Sequence, residues 1–260
     1  MKNTGILRIQ AFGARQSSPI EGVLVTVFGN GFTAQRITDE TGTAADLSIE
    51  APSCALSLQE DNTIRPYAVV DLTAAKAGFR TVRIQGVQIF AGQVTLARPE
   101  MIPDTEEGKD IANPPVIIPT HALFAGNGGS GPSPTEHCTG SRVLDRVIVP
   151  KNITVHLGRP AASARNVTVS FRDYIANVAS SEVYPTWPIE ALKANIHCQI
   201  SLALNRIYTE WYPSKGYTFN ITNSTSYDQY YVHGRTVFDV MVRITDDIFN
   251  TCLLYTSPSP

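Results

Sequence analysis

The chain has 260 residues, 21 Lys and Arg against 23 Asp and Glu for a net charge of −2, and 43% hydrophobic residues. That length leaves room for two domains, each able to bury a core, while the balanced charge gives no basic footprint for nucleic acid. No apolar run reaches membrane-spanning length. The four cysteines include no C-x-x-C pair, so neither a disulfide framework, a zinc site nor any other cofactor is expected.

Residues 1–99 read as an all-β unit. Segments at 6–12, 23–28, 44–49, 67–72, 81–84 and 93–96 are short, alternate in polarity and carry β-branched and aromatic side chains. Turn signals such as Gly29-Asn30-Gly31 divide them, and the spacing predicts a β-sandwich. Met1-Lys2-Asn3-Thr4 leads straight into a strand rather than a signal-peptide core. The text PIEGVLVTV, then TDETGTA and AKAGFRTV, resembles the carboxypeptidase regulatory-like, transthyretin-like sandwich. That resemblance implies a spacer, docking unit or pro-domain, and no catalytic grouping is visible in the segment.

Residues 100–146 are rich in Pro and Gly, with Asn113-Pro114-Pro115 and the run GNGGSGPSP at 126–134. Such a composition buries too little apolar surface to offset the entropy of ordering, which predicts an exposed linker. Exposed linkers are where proteases cut.

From 147 the pattern turns mainly helical. Phe171, Tyr174, Ile175 and Val178 recur at helical spacing behind Ser170, a plausible N-cap, and predict a short helix to about Ser181. Glu182 then falls just past its end. Pro185 cannot continue that helix, whereas Pro188 suits the first turn of the next. Leu192, Ile196, Ile200, Ala203, Leu204 and Ile207 form an apolar stripe that predicts a buried helix from Ile189 to about Tyr212, stopped by Pro213 and Gly216. His197 and Cys198 read as packing residues of its buried face. Glu190, in the first turn, is explained by the helix dipole alone.

The stretch SSEVYPTWPIEALKA at 180–194 resembles the stage II sporulation protein D family of peptidoglycan lytic transglycosylases, in which a glutamate turn is followed by EALKA opening a long helix. Glu182 matches the catalytic glutamate. This chain then reads Asn195-Ile196-His197-Cys198 where the family usually has Gln-Ala, which marks a divergent branch. Longer matching text at VLDRVIVPKNITVHLGRP, NVTVSFRDYIANVASSEVYPTWP, ALNRIYTEWY, YDQYYVHGRTVF and DDIFN is similar to the clostridial spore cortex-lytic enzymes. Those are zymogens, which implies an activating protease cutting within 126–146, a mature start near Val143 and a location in the spore cortex or cell wall.

A lytic transglycosylase needs one carboxylic acid, because the muramoyl 6-hydroxyl, and not an activated water, attacks the anomeric carbon. Its pKa must be raised toward working pH by apolar surroundings, which Tyr184 and Trp187 can supply. A second constellation, Tyr227 to Arg235, interleaves aromatics with polar groups suited to sugar. Asp228 and Gln229 are its preferred ligands, with Tyr230, Tyr231 and Arg235 beside them. An ordinary loop with tyrosines packed at its base explains the same text equally well. A further amphipathic segment is predicted at 236–250.

The tail at 252–260 reads like a translated sequencing adapter and is set aside from fold reasoning. The expected whole is thus multidomain: an all-β transthyretin-like sandwich as pro-domain (1–99), a cleavable linker (100–146), and an α+β stage II sporulation protein D-like domain (147–251) truncated at its C-terminus. Peptidoglycan glycan strands are the expected partner. The competing class is a non-catalytic peptidoglycan-binding or structural wall protein that kept the fold.

Overall fold

The computed structural model describes residues 3–13, 18–59, 62–104, 113–124 and 149–252. They fall into two compact units, Met1–Thr120 with Gly234–Val240, and His121–His233 with Met241–Pro260.

The first unit is β-rich. Its strands are β1 (Thr4–Gln10), β2 (Phe12–Gly13), β3 (Leu24–Gly29), β4 (Phe32–Ile37), β5 (Thr43–Glu50), β6 (Ala68–Ala75), β7 (Val82–Ile89), β8 (Val94–Ala97), β9 (Glu100–Met101) and β10 (Val116–Ile117). One sheet pairs β1 antiparallel with β5 and parallel with β8. A second runs β10-β7-β6-β3-β4, and β2 pairs with β9 in a small ribbon. Alternation in β1, β3 and β6 sends Leu7, Ile9, Val25, Val27, Val70 and Leu72 into one core shared by the two larger sheets, as the period of two requires.

Two features of this unit depart from the sequence reading. β4 was not anticipated, although the Asn30-Gly31 turn before it has φ of 52° and 70°, the left-handed pair that a two-residue hairpin turn demands. The strand FTAQRI lies at a sheet edge with little burial, so its alternation is weak. The second departure concerns 100–146. Residues 105–112 and 125–146 lie outside the described residues, as does the expected cleavage segment, but the described remainder is not an exposed tether. Met101 and Ile118 join the core, and β10 adds in parallel to β7. Averaging composition over the whole stretch hid these short apolar runs.

In the second unit β11 (Asn152–His156) pairs antiparallel with β12 (Asn166–Ser170) and parallel with β13 (Ile221–Thr222). β12 runs into α1 (Phe171–Glu182), and α2 spans Ile189–Tyr208. Ser170 caps α1 as expected: its Oγ accepts from the Asp173 amide at 3.0 Å and donates to the Asp173 carboxylate at 2.7 Å. α1 includes Glu182 as its last residue rather than ending before it.

α2 stops earlier than predicted. Glu210 adopts φ 45°, its amide donates to Ile207 O and that of Trp211 to Arg206 O, a Schellman closure made without the usual glycine. The buried stripe of α2 is Leu192, Ile196, Gln199, Ala203 and Arg206. His197 and Cys198 therefore sit on the exposed side, which corrects their reading as buried packing residues.

The segment predicted as amphipathic at 236–250 opens as a strand. β14 (Val237–Phe238) belongs to the first unit and extends its sheet against β8. α3 (Asp239–Cys252) follows, burying Met241, Ile244, Ile248 and Phe249. Phe249 meets Phe171 edge-on at 5.6 Å, and Arg172 reaches Asp246 and Asn250, so α3 is fastened to the start of α1. No helix among the described residues is long and apolar enough to cross a membrane.

Candidate active site

α1 is buried along nearly its whole length, so its polar side chains must find partners inside the fold. Ser181 donates back to Asn177 O within the helix at 2.9 Å, while Asn177 and Tyr174 find theirs in the loop at 228–233. Asn177 makes a reciprocal amide pair with the main chain of Val232, donating to its O at 2.8 Å and accepting from its N at 3.0 Å. Tyr174 OH donates to Gln229 Oε1 at 2.9 Å, and Gln229 Nε2 donates to Gln199 O of α2 at 3.0 Å. The loop is thereby bonded to α1 and α2 at several points.

Glu182 stands where these elements meet. Its Oε1 accepts from the Tyr230 main-chain N–H at 2.9 Å and its Oε2 from Gln199 Nε2 at 2.8 Å. Burial pushes the carboxyl above the usual glutamate range, because the charged form loses solvation; the two donors pull the other way without cancelling it. The result is a half-buried, oriented carboxyl group that binds its proton more tightly than a free glutamate.

The other residues suggested by the sequence divide among several roles. Tyr230 comes to Glu182 through its main chain. Tyr184 is buried, its ring tilted against His121 at 4.5 Å and edge-to-face with Trp187 at 6.3 Å. Tyr231 is buried too, stacked on Tyr174 at 5.4 Å with its hydroxyl 3.0 Å from His233 Nδ1, and burial raises its pKa. Gln229 spends both ends of its amide on α1 and α2.

Asp228 and Arg235, expected as sugar ligands, both have their polar groups engaged inside the fold. The Asp228 side chain has no exposed surface. Its Oδ1 accepts from Arg206 Nε at 2.8 Å, and its Oδ2 from Tyr212 OH at 2.6 Å, Thr222 N at 3.0 Å and Thr222 Oγ1 at 2.7 Å. This is an internal knot tying α2 to β13, with nothing left facing solvent. Arg235 belongs to the first unit, where it is buried and donates to Thr236 O at 2.9 Å and to Gln88 Oε1 at 3.5 Å.

Gln199 and Asn195 were missed. Gln199 falls in register with the buried stripe of α2 and is 4% exposed, yet it is polar. A polar residue on an apolar helical face was the available signal. Among the described residues, no three His, Cys, Asp or Glu side chains group closely enough to hold a metal ion.

Residues 162–247 match the family model of the Stage II sporulation protein (SpoIID). This SpoIID-like domain takes in α1, α2, the 228–233 loop and most of α3, and so contains Glu182 and all the groups bonded to it. No curated protein matches the chain.

Likenesses to solved structures are shallow. The Bacillus anthracis TIE protein aligns at 13% identity over 39% of this chain and 17% of its own, with a TM-score of 0.28. 3-Chlorocatechol 1,2-dioxygenase from Rhodococcus opacus aligns at 14% identity over 40% of this chain and 61% of its own, TM-score 0.28. The 5-hydroxyisourate hydrolase of Klebsiella pneumoniae aligns at 20% identity over 38% and 92%, TM-score 0.26.

Proposed function

We propose that the protein cleaves peptidoglycan glycan strands as a lytic transglycosylase, with Glu182 as the single general acid and base. The observation that carries this reading is the Glu182 carboxyl itself: half-buried, raised in pKa by desolvation, and oriented by one donor on each oxygen. The match of residues 162–247 to a sporulation family supports a sporulation-related role at the cell wall. In the reaction the Glu182 proton passes to the glycosidic oxygen as the C1–O bond breaks and oxocarbenium character develops. The carboxylate then takes the proton of the muramoyl 6-hydroxyl as that oxygen bonds to C1, which closes the anhydro ring and restores the acid.

The β-rich first unit is read, within the same proposal, as a transthyretin-like pro-domain of a clostridial cortex-lytic type of pro-enzyme. Cleavage at 126–146 would release a mature form at the spore cortex or wall, and sequencing the N-terminus of activated protein tests this. An intact start would sink it.

One observation favours a second reading, a non-catalytic wall-binding or structural protein. Asp228, Gln229 and Tyr231 spend their polar groups inside the fold, leaving fewer groups for a sugar than the sequence suggested. Mass spectrometry of the products released from purified spore cortex, beside Glu182→Gln, separates the readings. Anhydro-muramoyl products from the parent and none from the variant are expected. Reducing ends would indicate a hydrolase, and no product from well-folded protein would favour the binding role.

A further inference from the structure

Gln199 offers Glu182 more than the hydrogen bond it is making. Its Nε2 donates both to Glu182 Oε2 at 2.8 Å and to Asn195 Oδ1 at 2.6 Å. Its Oε1 is buried with no hydrogen-bond partner among the described residues. A buried amide oxygen left unpaired is costly, and here it belongs to the side chain that holds the one carboxyl required to change protonation state. A carboxylate only accepts, whereas a carboxylic acid also donates. A primary amide is the neutral side chain that can answer both, by presenting either its nitrogen or its oxygen.

We propose that Gln199 is a positioning residue that turns its amide with the protonation state of Glu182. With Glu182 ionised, Nε2 donates to Oε2, as seen. With Glu182 protonated, the amide turns over and Oε1 accepts the acid proton. Asn195, half-buried on the preceding turn of α2, turns its own amide in step, so that its Nδ2 donates to the Gln199 oxygen. The proton is steered to Oε2, because Oε1 faces the Tyr230 main-chain N–H, which can never accept.

The ionisable groups packed nearby are already engaged. The Tyr174 hydroxyl on α1 is bonded to Gln229, Asp228 in the loop is paired with Arg206 of α2, and Tyr231 is bonded to His233. As a statement about catalysis the proposal rests on the reading of Glu182 as acid and base; as one about hydrogen bonding it stands apart from that reading.

Carboxyl and side-chain amide NMR of the full chain, titrated from acid to neutral pH, is the direct test. The Gln199 Nε2 signals are expected to move with the same midpoint as the Glu182 carboxyl carbon, and to lose that titration in Glu182→Gln. Gln199→Met, which keeps the volume and removes both functions, is expected to raise the Glu182 midpoint by about one pH unit. The alkaline limb of glycan cleavage should move with it. Gln199 signals that stay still through the Glu182 titration overturn the proposal, as does an unchanged midpoint in a well-folded Gln199→Met. An inactive parent would count against glycan cleavage alone, and the NMR readouts would still decide this inference.

Discussion

Replacing Asp228 by asparagine puts one acceptor oxygen where two now serve four donors. If that oxygen takes the place of Oδ2, the new NH2 points at Arg206 Nε; if the amide is reversed, it meets the Tyr212 hydroxyl, the Thr222 N–H and Thr222 Oγ1. Either way Arg206, whose side chain is 11% exposed, keeps its charge without its counter-ion. Removing one partner of a buried pair costs about 3–5 kcal/mol. The low end applies here, because Arg206 retains Tyr227 O at 3.1 Å and the Trp211 ring at 4.3 Å. For a unit of this size that corresponds to a melting temperature lower by roughly 10 °C. The chain has two tryptophans, Trp187 and Trp211, and both lie in the second unit, so tryptophan fluorescence reads this unit's melting alone. A variant melting within about 2 °C of the parent would refute the structural role. If it also lost glycan cleavage, Asp228 would return to being a sugar ligand.

Glu182→Gln is expected to stabilise the second unit at neutral pH. The folded pKa of Glu182 is raised by burial, so the native state binds the proton more tightly than the unfolded chain, and stability is lost as pH rises through the folded value. The gain of the variant over the parent should therefore be smallest in acid and grow toward neutrality in parallel fluorescence melts; a gain that shrinks with rising pH would contradict the burial argument. In the first unit Gly86 has φ +81°, and a Cβ there would stand 2.3 Å from Ile118 O. Gly86→Ala should cost more than about 1 kcal/mol in chemical denaturation, and a neutral result would mean that residues 116–118 are not docked on β7.

Local signals made the helices legible. Ser170, Pro185 and Pro188 act within a turn or two of where they stand, and the two prolines placed the end of α1 and the start of α2 within a residue or so. The end of α2 was misread because Glu210 takes a left-handed conformation that glycine usually announces. The groups around Glu182 were only partly legible. Tyr230 contributes its main chain, which carries no residue signature, and Gln199 was passed over because the stripe was drawn through its apolar neighbours. Arg235 was grouped with Tyr230 and Tyr231 for nearness in sequence, yet the division between the units falls after His233. Spatial neighbourhood across such a division is not written in spacing.

The donor to Glu182 Oε1 is a peptide N–H, so this bond does not depend on which side chain stands at position 230. Any of nineteen side chains leaves that bond intact; only proline, which lacks the hydrogen, deletes it. Under the proposed function, the side chain at 230 can therefore be exchanged without re-aiming the Glu182 carboxyl, so that any part this position has in specificity is separable by mutation from its part in proton chemistry.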